Sequence, residues 1–435
     1  MSLLSSEKVA VFGLGFVGLP LALSFAMRGC DVYGVDVNEG LVEDINVGVT
    51  YHKEAYRGED IRAILARELK EGRFRATCSP AEALGRCDNI IITVGMPVSD
   101  EGEVFAGHLE DCVCSVASGL KRGDLVVVRS TLVPGMTREF ILPILESESG
   151  LRAGSDFDLA YSSERIAEGK AFEEFETMPG LVAGLNRESA ERTKRLLSIV
   201  TRAEISLASS FEVVETAKVV ENVSRDVNIA MVNELARFTR ALNVDVAEVI
   251  ALANTHKRVN LLSPGPGVGG YCIPNALHYL ADRARRMDVS LPLMHTARRV
   301  NEEMPSYMVS MVMKNLVVPP REAVIGVIGL AMKDFSSDDR CSPALKIIRI
   351  MEESGITVRA FDPAVNSRYH FSVDSQREAF EGAHGMLLLA RQEGIDLDGL
   401  DRYVALMSAE GTPFIIDPKN ILAGKSVGGA KVEKL

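Results

Sequence analysis

The stretch VAVFGLGFVGLPLALSFAM, Val9 to Met27, decides how this chain folds. It runs nineteen residues without a charge between Lys8 and Arg28. By hydropathy alone it could be a membrane span or a signal anchor. Its interior glycines and Pro20 weaken that reading. A buried parallel strand, a tight glycine turn and a buried helix account for it better. Gly13-Leu-Gly15-Phe-Val-Gly18 falls where such a turn belongs, and Asp36 closes the next strand-like run, eighteen residues after Gly18. A lone glycine triplet is weak, but strand, turn, helix and acid in this order are a dinucleotide-binding signature. Gly13 permits the turn, Gly15 lets a pyrophosphate reach the helix N-terminus, and Gly18 lets helix and strand pack closely, with Phe16 and Val17 between them. Asp36 would accept hydrogen bonds from the adenosine ribose and repel a 2′-phosphate. The expected cofactor is therefore NAD rather than NADP.

Working outward, DVYGVDVN, DNIIITVG and DLVVVRST read as further strands with helical segments between them. The alternation implies a doubly wound, mostly parallel sheet. Phe211 to Asn243 is one long helical pattern without Gly or Pro, its apolar positions recurring at three and four. Such a helix can join two domains and pack against a second copy of itself. The last third returns to strands and helices: AVIGVIGLAMK, SPALKIIRIMEESG, ITVRAFDP, AHGMLLLA and TPFIIDPK. The two ends rhyme, Gly13-Leu-Gly15 then Asp36 in the first, Gly329-Leu-Ala331 then Asp362 in the second. The fold class expected is α/β: two Rossmann-like doubly wound domains, 1–206 and 306–435, joined by a central long-helix domain, 207–305.

The composition agrees with a multidomain globular protein. The chain has 435 residues, too many for one ordinary core. Lys and Arg number 48 against 60 Asp and Glu, a net charge of −12, which disfavours a nucleic-acid binder needing a basic face. An odd seven cysteines with no CxxC speak against a disulfide framework, and the seven histidines form no metal-ligand spacing. Cys112 and Cys114 lie in an apolar stretch and are expected in the core. A cytoplasmic, metal-free protein is the expectation.

The remaining motifs share one pattern. FGLGFVGLPLA, TVGMP, RSTLVPGMT, YSSERIAEGKA, TAKVVENVSRDVNIAMVNELA, HKRVNLLSPGPGVGGYCIP and GLAMKDFSSDDRCSPAL follow each other along nearly the whole chain. In this order they resemble the family of UDP-glucose and UDP-N-acetylmannosamine dehydrogenases, the nucleotide-sugar 6-dehydrogenases. The resemblance implies oxidation of a sugar C6 alcohol to an aldehyde and then to a carboxylate, with two NAD+ reduced. A thiol is needed because an aldehyde has no leaving group for water to replace. Cysteine adds to it, and the thiohemiacetal loses the second hydride to become a thioester, which water hydrolyses.

By resemblance Cys272 is that nucleophile; without it, a small buried hydrophobe would be the ordinary reading of a cysteine. Lys218 and Asn222, at i and i+4 on one helix face, would hold the developing alkoxide and oxyanion. Glu164 and Glu168 would position water or relay a proton, and Thr131 would bond the same water network beside the nicotinamide. Lys333 would reach the sugar and Arg340 the cofactor pyrophosphate. Arg258 matches an arginine that reaches the partner's substrate across a dimer interface. Ser263 to Gly269 would wrap the UDP, with Gly267 and Gly269 letting the backbone come close. The expected assembly is a homodimer through the central helix. Glu215, Glu221 and Arg225 read as surface charge.

One departure stands out. After its cysteine the family carries an acid, and here the aligned residue is Ala276. Alanine can neither take a proton nor orient water, which moves that task to Glu164, Glu168 or His278. Three readings result. The leading one is an NAD-dependent UDP-sugar 6-dehydrogenase, with KRVN and SPGPGVGGYC closer to the UDP-N-acetylhexosamine branch (the manno or galacto epimer) than to UDP-glucose. The others are a nucleotide-sugar-binding homologue impaired in turnover, and a two-electron hydroxyacid dehydrogenase that would not need Cys272.

Overall fold

The computed structural model describes residues 7–99 and 101–435. Its chain divides into two compact units, Met1–Val220 with His278–Val289, and Glu221–Leu277 with Ser290–Leu435.

The first unit is built on an eight-stranded sheet. Its strands are β1 (Lys8–Phe12), β2 (Asp31–Val35), β3 (Phe74–Thr77), β4 (Asn89–Ile92), β5 (Leu125–Val128), β6 (Asp158–Tyr161), β7 (Gly180–Gly184) and β8 (Ile205–Leu207). They lie in the order β8-β7-β6-β5-β4-β1-β2-β3. Every pairing is parallel except β6 with β7. The order reverses at β1, so the crevice for a ligand opens beyond the C-terminal ends of β1 and β4. β1 is buried from Val9 to Phe12, and helix α1 (Gly18–Ala26) is buried along its whole length. The uncharged stretch Val9 to Met27 is thus strand, turn and core helix, and among the described residues no helix is long and apolar enough to cross a membrane. The cysteines in the expected core pair are only half-buried, although burial pushes the Cys112 thiol up to about 12.

The second unit carries a five-stranded, all-parallel sheet: β9 (Val324–Ile328), β10 (Thr357–Phe361), β11 (Gly385–Leu388), β12 (Phe414–Asp417) and β13 (Lys431–Lys434), ordered β10-β9-β11-β12-β13. Helix α2 (Phe211–Ala241) is the long central helix, one unbroken run of 31 residues that contributes to both units. α3 (Cys272–Arg286) and α4 (Pro292–Asn315) follow it, and α5 (Pro343–Glu353) begins at a Ser342 cap. Methionines of α4 and the inner face of α5 pack with Ile325, Val327 and Leu387 in one core. The α/β class with a central helical region is as the sequence indicates.

Candidate active site

The glycine turn after β1 is geometrically forced. Gly13 has φ +90°, and its N–H donates to Val35 O at 2.8 Å. A Cβ on Gly18 would lie 1.7 Å from Gly13 O, so no side chain fits there. Gly15 has nothing within 4 Å of where a Cβ would stand, which leaves its face open to a ligand. Asp36 accepts Leu14 N at 2.8 Å on one oxygen and Asn38 N at 3.0 Å on the other. An ionised carboxylate has about four acceptor sites, so Asp36 retains room for ribose hydroxyls. Val17 forms the cap of α1. The open Gly15, the closed Gly18 and the unsaturated Asp36 together fit a dinucleotide.

Sequence reasoning missed what supports this turn. Phe16 meets Tyr51 and His52 edge-on, at 5.5 and 5.7 Å between ring centroids, and Tyr51 stacks on His52 at 4.3 Å. His52 is buried, which lowers its pKa, and its Nδ1 lies 2.6 Å from Thr50 Oγ1. The imidazole is therefore a neutral packing group under the turn. Aromatic residues in the polar run Thr50-Tyr51-His52-Lys53 carry no periodic signal, so only the fold brings Tyr51 and His52 to Phe16.

The β5 and β6 ends carry the predicted acid residues. Glu164 is ion-paired with buried Arg129 and accepts N–H bonds from Arg165 at 2.6 Å and Ile166 at 3.1 Å. Glu168 is half-buried, on a turn held by another carboxylate: Glu54 accepts Gly169 N at 2.6 Å and Ala171 N at 2.9 Å. Thr131 is half-buried just after β5. The loop that follows it is tied to α2 by Glu215, which is fully buried and accepts Gly135 N at 2.6 Å, Thr137 N at 2.9 Å and Thr137 Oγ1 at 2.6 Å. The reading of Glu215 as surface charge is therefore wrong. Burial raises its pKa, opposed by these three donors. It sits one turn before Lys218 on the same helix.

Lys218 is half-buried and Asn222 buried, one turn apart on α2. Asn222 Nδ2 donates to the main-chain oxygen of Cys272 at 3.2 Å. Cys272 is exposed and is the first residue of α3. Ala276 is buried one turn further on. His278 does not share that face: at 100° per residue it stands about 240° round the helix from Cys272. It packs on Gly102, where a Cβ would come within 2.4 Å of its Nδ1. The expectation that His278 could replace the missing acid is corrected by this placement.

The loop before Cys272 gives its glycines a different reason from the one expected. A Cβ on Gly269 would lie 2.7 Å from Pro343 Cδ and 2.9 Å from Cys341 O, and one on Gly270 would lie 2.5 Å from Met332 Sδ. Gly267, at φ +136°, presses on Pro305 and Pro343. These glycines admit the chain's own neighbouring segments, while Gly265 is the open position. Ser263 is exposed at the start of the loop. Arg340 is held by Asp338, at 2.6 and 2.8 Å, and its guanidinium lies 5.5 Å from the ring of Tyr271, next to Cys272. Lys333 and Arg258 are exposed. The first unit thus holds the glycine turn, Asp36, Thr131, Glu164, Glu168 and Lys218, and the second holds Asn222, Arg258, the glycine loop, Cys272, Lys333 and Arg340.

A glycine turn with an open Gly15 and a thiol at a helix start define a dinucleotide-dependent oxidoreductase. Comparison with known proteins makes the assignment specific. Residues 7–201 match the NAD-binding domain, 212–303 the central domain and 326–424 the UDP-binding domain of the UDP-glucose/GDP-mannose dehydrogenase family. The UDP-N-acetyl-D-mannosamine dehydrogenase of Pyrococcus horikoshii is 36% identical over 424 residues, 97% of each chain. The UDP-N-acetyl-D-glucosamine 6-dehydrogenase of Pseudomonas aeruginosa is 33% identical over 88% of this chain and 90% of that one. Among solved structures, that of the Pyrococcus horikoshii UDP-D-ManNAc dehydrogenase superposes with a TM-score of 0.89 at 34% identity over 98% of both chains. The chain belongs to the UDP-glucose/GDP-mannose dehydrogenase family and is an NAD-dependent oxidoreductase.

Proposed function

We propose that this enzyme oxidises the C6 hydroxyl of a UDP-N-acetylhexosamine twice, yielding the uronic acid. The observation that carries this reading is the bond from Asn222 to the Cys272 main chain, one turn beyond Lys218. It ties an exposed thiol to the helix bearing an amide donor and a cation. The glycine turn and Asp36 would hold NAD+, and two NAD+, bound one after the other, would supply the hydride acceptors for the two oxidations. As the aldehyde forms, Lys218 stabilises the developing C6 alkoxide, and the hydroxyl proton leaves through water toward Glu168. Cys272 Sγ adds to the aldehyde carbon, and Asn222 and Lys218 stabilise the oxygen. Loss of the second hydride leaves a thioester. Water adds to it, the C–S bond breaks, and the thiol is regenerated with the carboxylate.

Proton handling in hydrolysis falls to Glu168. Ala276 is inert, and Glu164 is committed to Arg129 as an ion pair that shapes the segment. Relatives acting on UDP-N-acetyl-mannosamine, UDP-N-acetyl-glucosamine and NDP-N-acetyl-galactosaminuronic acid support an acetamido sugar for this chain. Both cosubstrates belong to the cytoplasm, where we place the reaction.

A panel of UDP-sugars tests the reading: an acetamido sugar should give two NADH per molecule, and Cys272→Ala should abolish the second oxidation. Absence of NADH and of any Cys272 adduct by intact-protein mass spectrometry, with every sugar, would refute it. Buried Ala276 favours one second reading, an enzyme slow in hydrolysis, and a persistent thioester on Cys272 would reveal it.

We also propose a homodimer through α2. Val213, Val220, Met231 and Phe238 are 42–61% exposed. Their spacings of 7, 11 and 7 put them within about 20° of one line along the helix. Phe238→Glu should halve the mass seen by light scattering; an unchanged mass rejects this interface.

A further inference from the structure

Inside the second unit, a row of buried polar side chains runs from an ion pair to the backbone of the glycine loop. Asp226 and Asn233 lie on α2, Arg298 and Asn301 on α4. They are 3%, 0%, 5% and 1% exposed. Arg298 Nη1 donates to Asp226 Oδ1 at 2.9 Å. Asn301 Nδ2 donates to the same oxygen at 2.8 Å and to Asp226 O at 2.9 Å. Asn233 Nδ2 donates to Asn301 Oδ1 at 2.9 Å, and Gly265 N donates to Asn233 Oδ1 at 2.9 Å. From this we infer that Asn233 is the positioning residue of the sugar-nucleotide loop, its amide oriented through Asn301 by the buried Asp226–Arg298 pair.

The chemistry of the chain gives it a direction. Asp226 only accepts and Arg298 only donates. Asn301 must therefore turn its NH2 to Asp226 and its oxygen to Asn233. Asn233 must answer with its own NH2, which leaves its oxygen as the acceptor for Gly265 N. Burial makes each alternative orientation costly, because it would set donor against donor or acceptor against acceptor. Two amides thus carry the polarity of an ion pair to a loop backbone.

The loop depends on that anchor. The residues leading into it are clamped by side chains nearer the surface: Asn228 bonds Asn260 O and Leu262 N, and Asn254 bonds both the N–H and the carbonyl of Leu261. Among the described residues, Asn233 is the fully buried clamp, and it acts at Gly265. There the outer side is open, with nothing within 4 Å of a Cβ position. α4 holds the next step as well, since Pro305 meets Gly267 at 3.3 Å. With its N–H bonded inward, Gly265 presents the opposite side of the backbone to a ligand. This inference rests on the reading that Ser263 to Gly269 wraps the UDP.

The test uses the full-length protein, Asn233→Leu, and Asn301→Ser, which cuts the chain without touching the loop and serves if the first variant does not fold. Hydrogen exchange on peptides covering 260–271, without ligand, should speed up in both, with distant peptides unchanged. Calorimetric titration with UDP should show Kd raised about five- to tenfold, the loss of roughly one net hydrogen bond. NAD affinity should stay at the wild-type value. The double variant should bind UDP no more weakly than the worse single variant, as expected for members of one chain. Unchanged exchange at 260–271 overturns the inference, as does a lowered Tm with UDP affinity intact. If wild type itself fails to bind UDP, the reading of the loop as a UDP site fails, while the exchange result still decides the role of Asn233.

Discussion

The two glycine turns share their backbone geometry and differ in what their aspartates still have to offer. Gly13 and Gly329 sit at φ +90° and +91°, and their N–H groups donate to Val35 O and Phe361 O at 2.8 and 3.0 Å. In each, the aspartate closing the second strand accepts the next residue's N–H at 2.8 Å, Leu14 on Asp36 and Leu330 on Asp362. Asp362 then accepts four more donors, Ala331 N, Ala364 N, Val365 N and Gln392 Nε2. Its acceptor sites are full, whereas Asp36 holds, among the described residues, Leu14 N and Asn38 N. Gly18 has no counterpart either: five residues after Gly329 stands Asp334, and α5 starts only at Pro343. The second copy keeps the turn as scaffold and replaces the tight turn-to-helix step with a long loop carrying Lys333 and Arg340. A dinucleotide fold can therefore lose its dinucleotide site without altering the turn.

Gly18→Ala should have the largest effect on this contrast. Its Cβ overlaps Gly13 O, so roughly 3 kcal/mol or more of stability and all NAD binding should go. Ala331→Gly, at the position matching Gly15, should change stability by about 1 kcal/mol at most and leave NAD titration untouched. Next come the aspartates. Asp362→Ala strands five donors and should cost about 2–4 kcal/mol in urea unfolding, with NAD affinity intact. Asp36→Ala should weaken NAD about tenfold, with a smaller stability loss. If both variants weakened NAD equally, the distinction between scaffold and site would collapse.

The smallest effect concerns Glu215, which clamps a loop by three donors as the aspartates do, but from full burial. Burial raises its pKa above the usual 4.5, so the folded state keeps this proton to higher pH than the unfolded chain. Its contribution to stability is therefore complete below about pH 4.5 and declines as pH rises through the folded value. Denaturation of wild type and Glu215→Gln across that window should show wild type losing ground as pH rises. A constant difference would mean that the donors just offset burial, and a wild type gaining ground as pH rises would mean that they outweigh it.

Much of this was readable beforehand because it is local. Strand, turn, helix and Asp36 lie within thirty residues of one another, and Lys218 and Asn222 are fixed by helix period. What escaped is long-range. Glu215 meets Thr137 across 78 residues and Asn233 meets Asn301 across 68, and on a helix wheel each looks like an ordinary polar position. Gly267 and Gly269 read as places where backbone comes close to a ligand, and in the fold the neighbours they admit are Pro305, Met332, Cys341 and Pro343. Composition shows that a side chain is missing, and only the fold shows what fills the space.

The Leu14 N–Asp36 bond has a consequence for anyone redesigning this enzyme to run on NADP. Removing the carboxylate to admit a 2′-phosphate also removes the acceptor that holds Leu14, and with it part of the pyrophosphate cradle. A basic residue at position 36 would set a second donor against that N–H. Cofactor exchange here is a two-site engineering problem: a neutral acceptor such as Asn or Ser must stay at position 36, and the phosphate-binding cation must be introduced elsewhere, for instance at the exposed Val37.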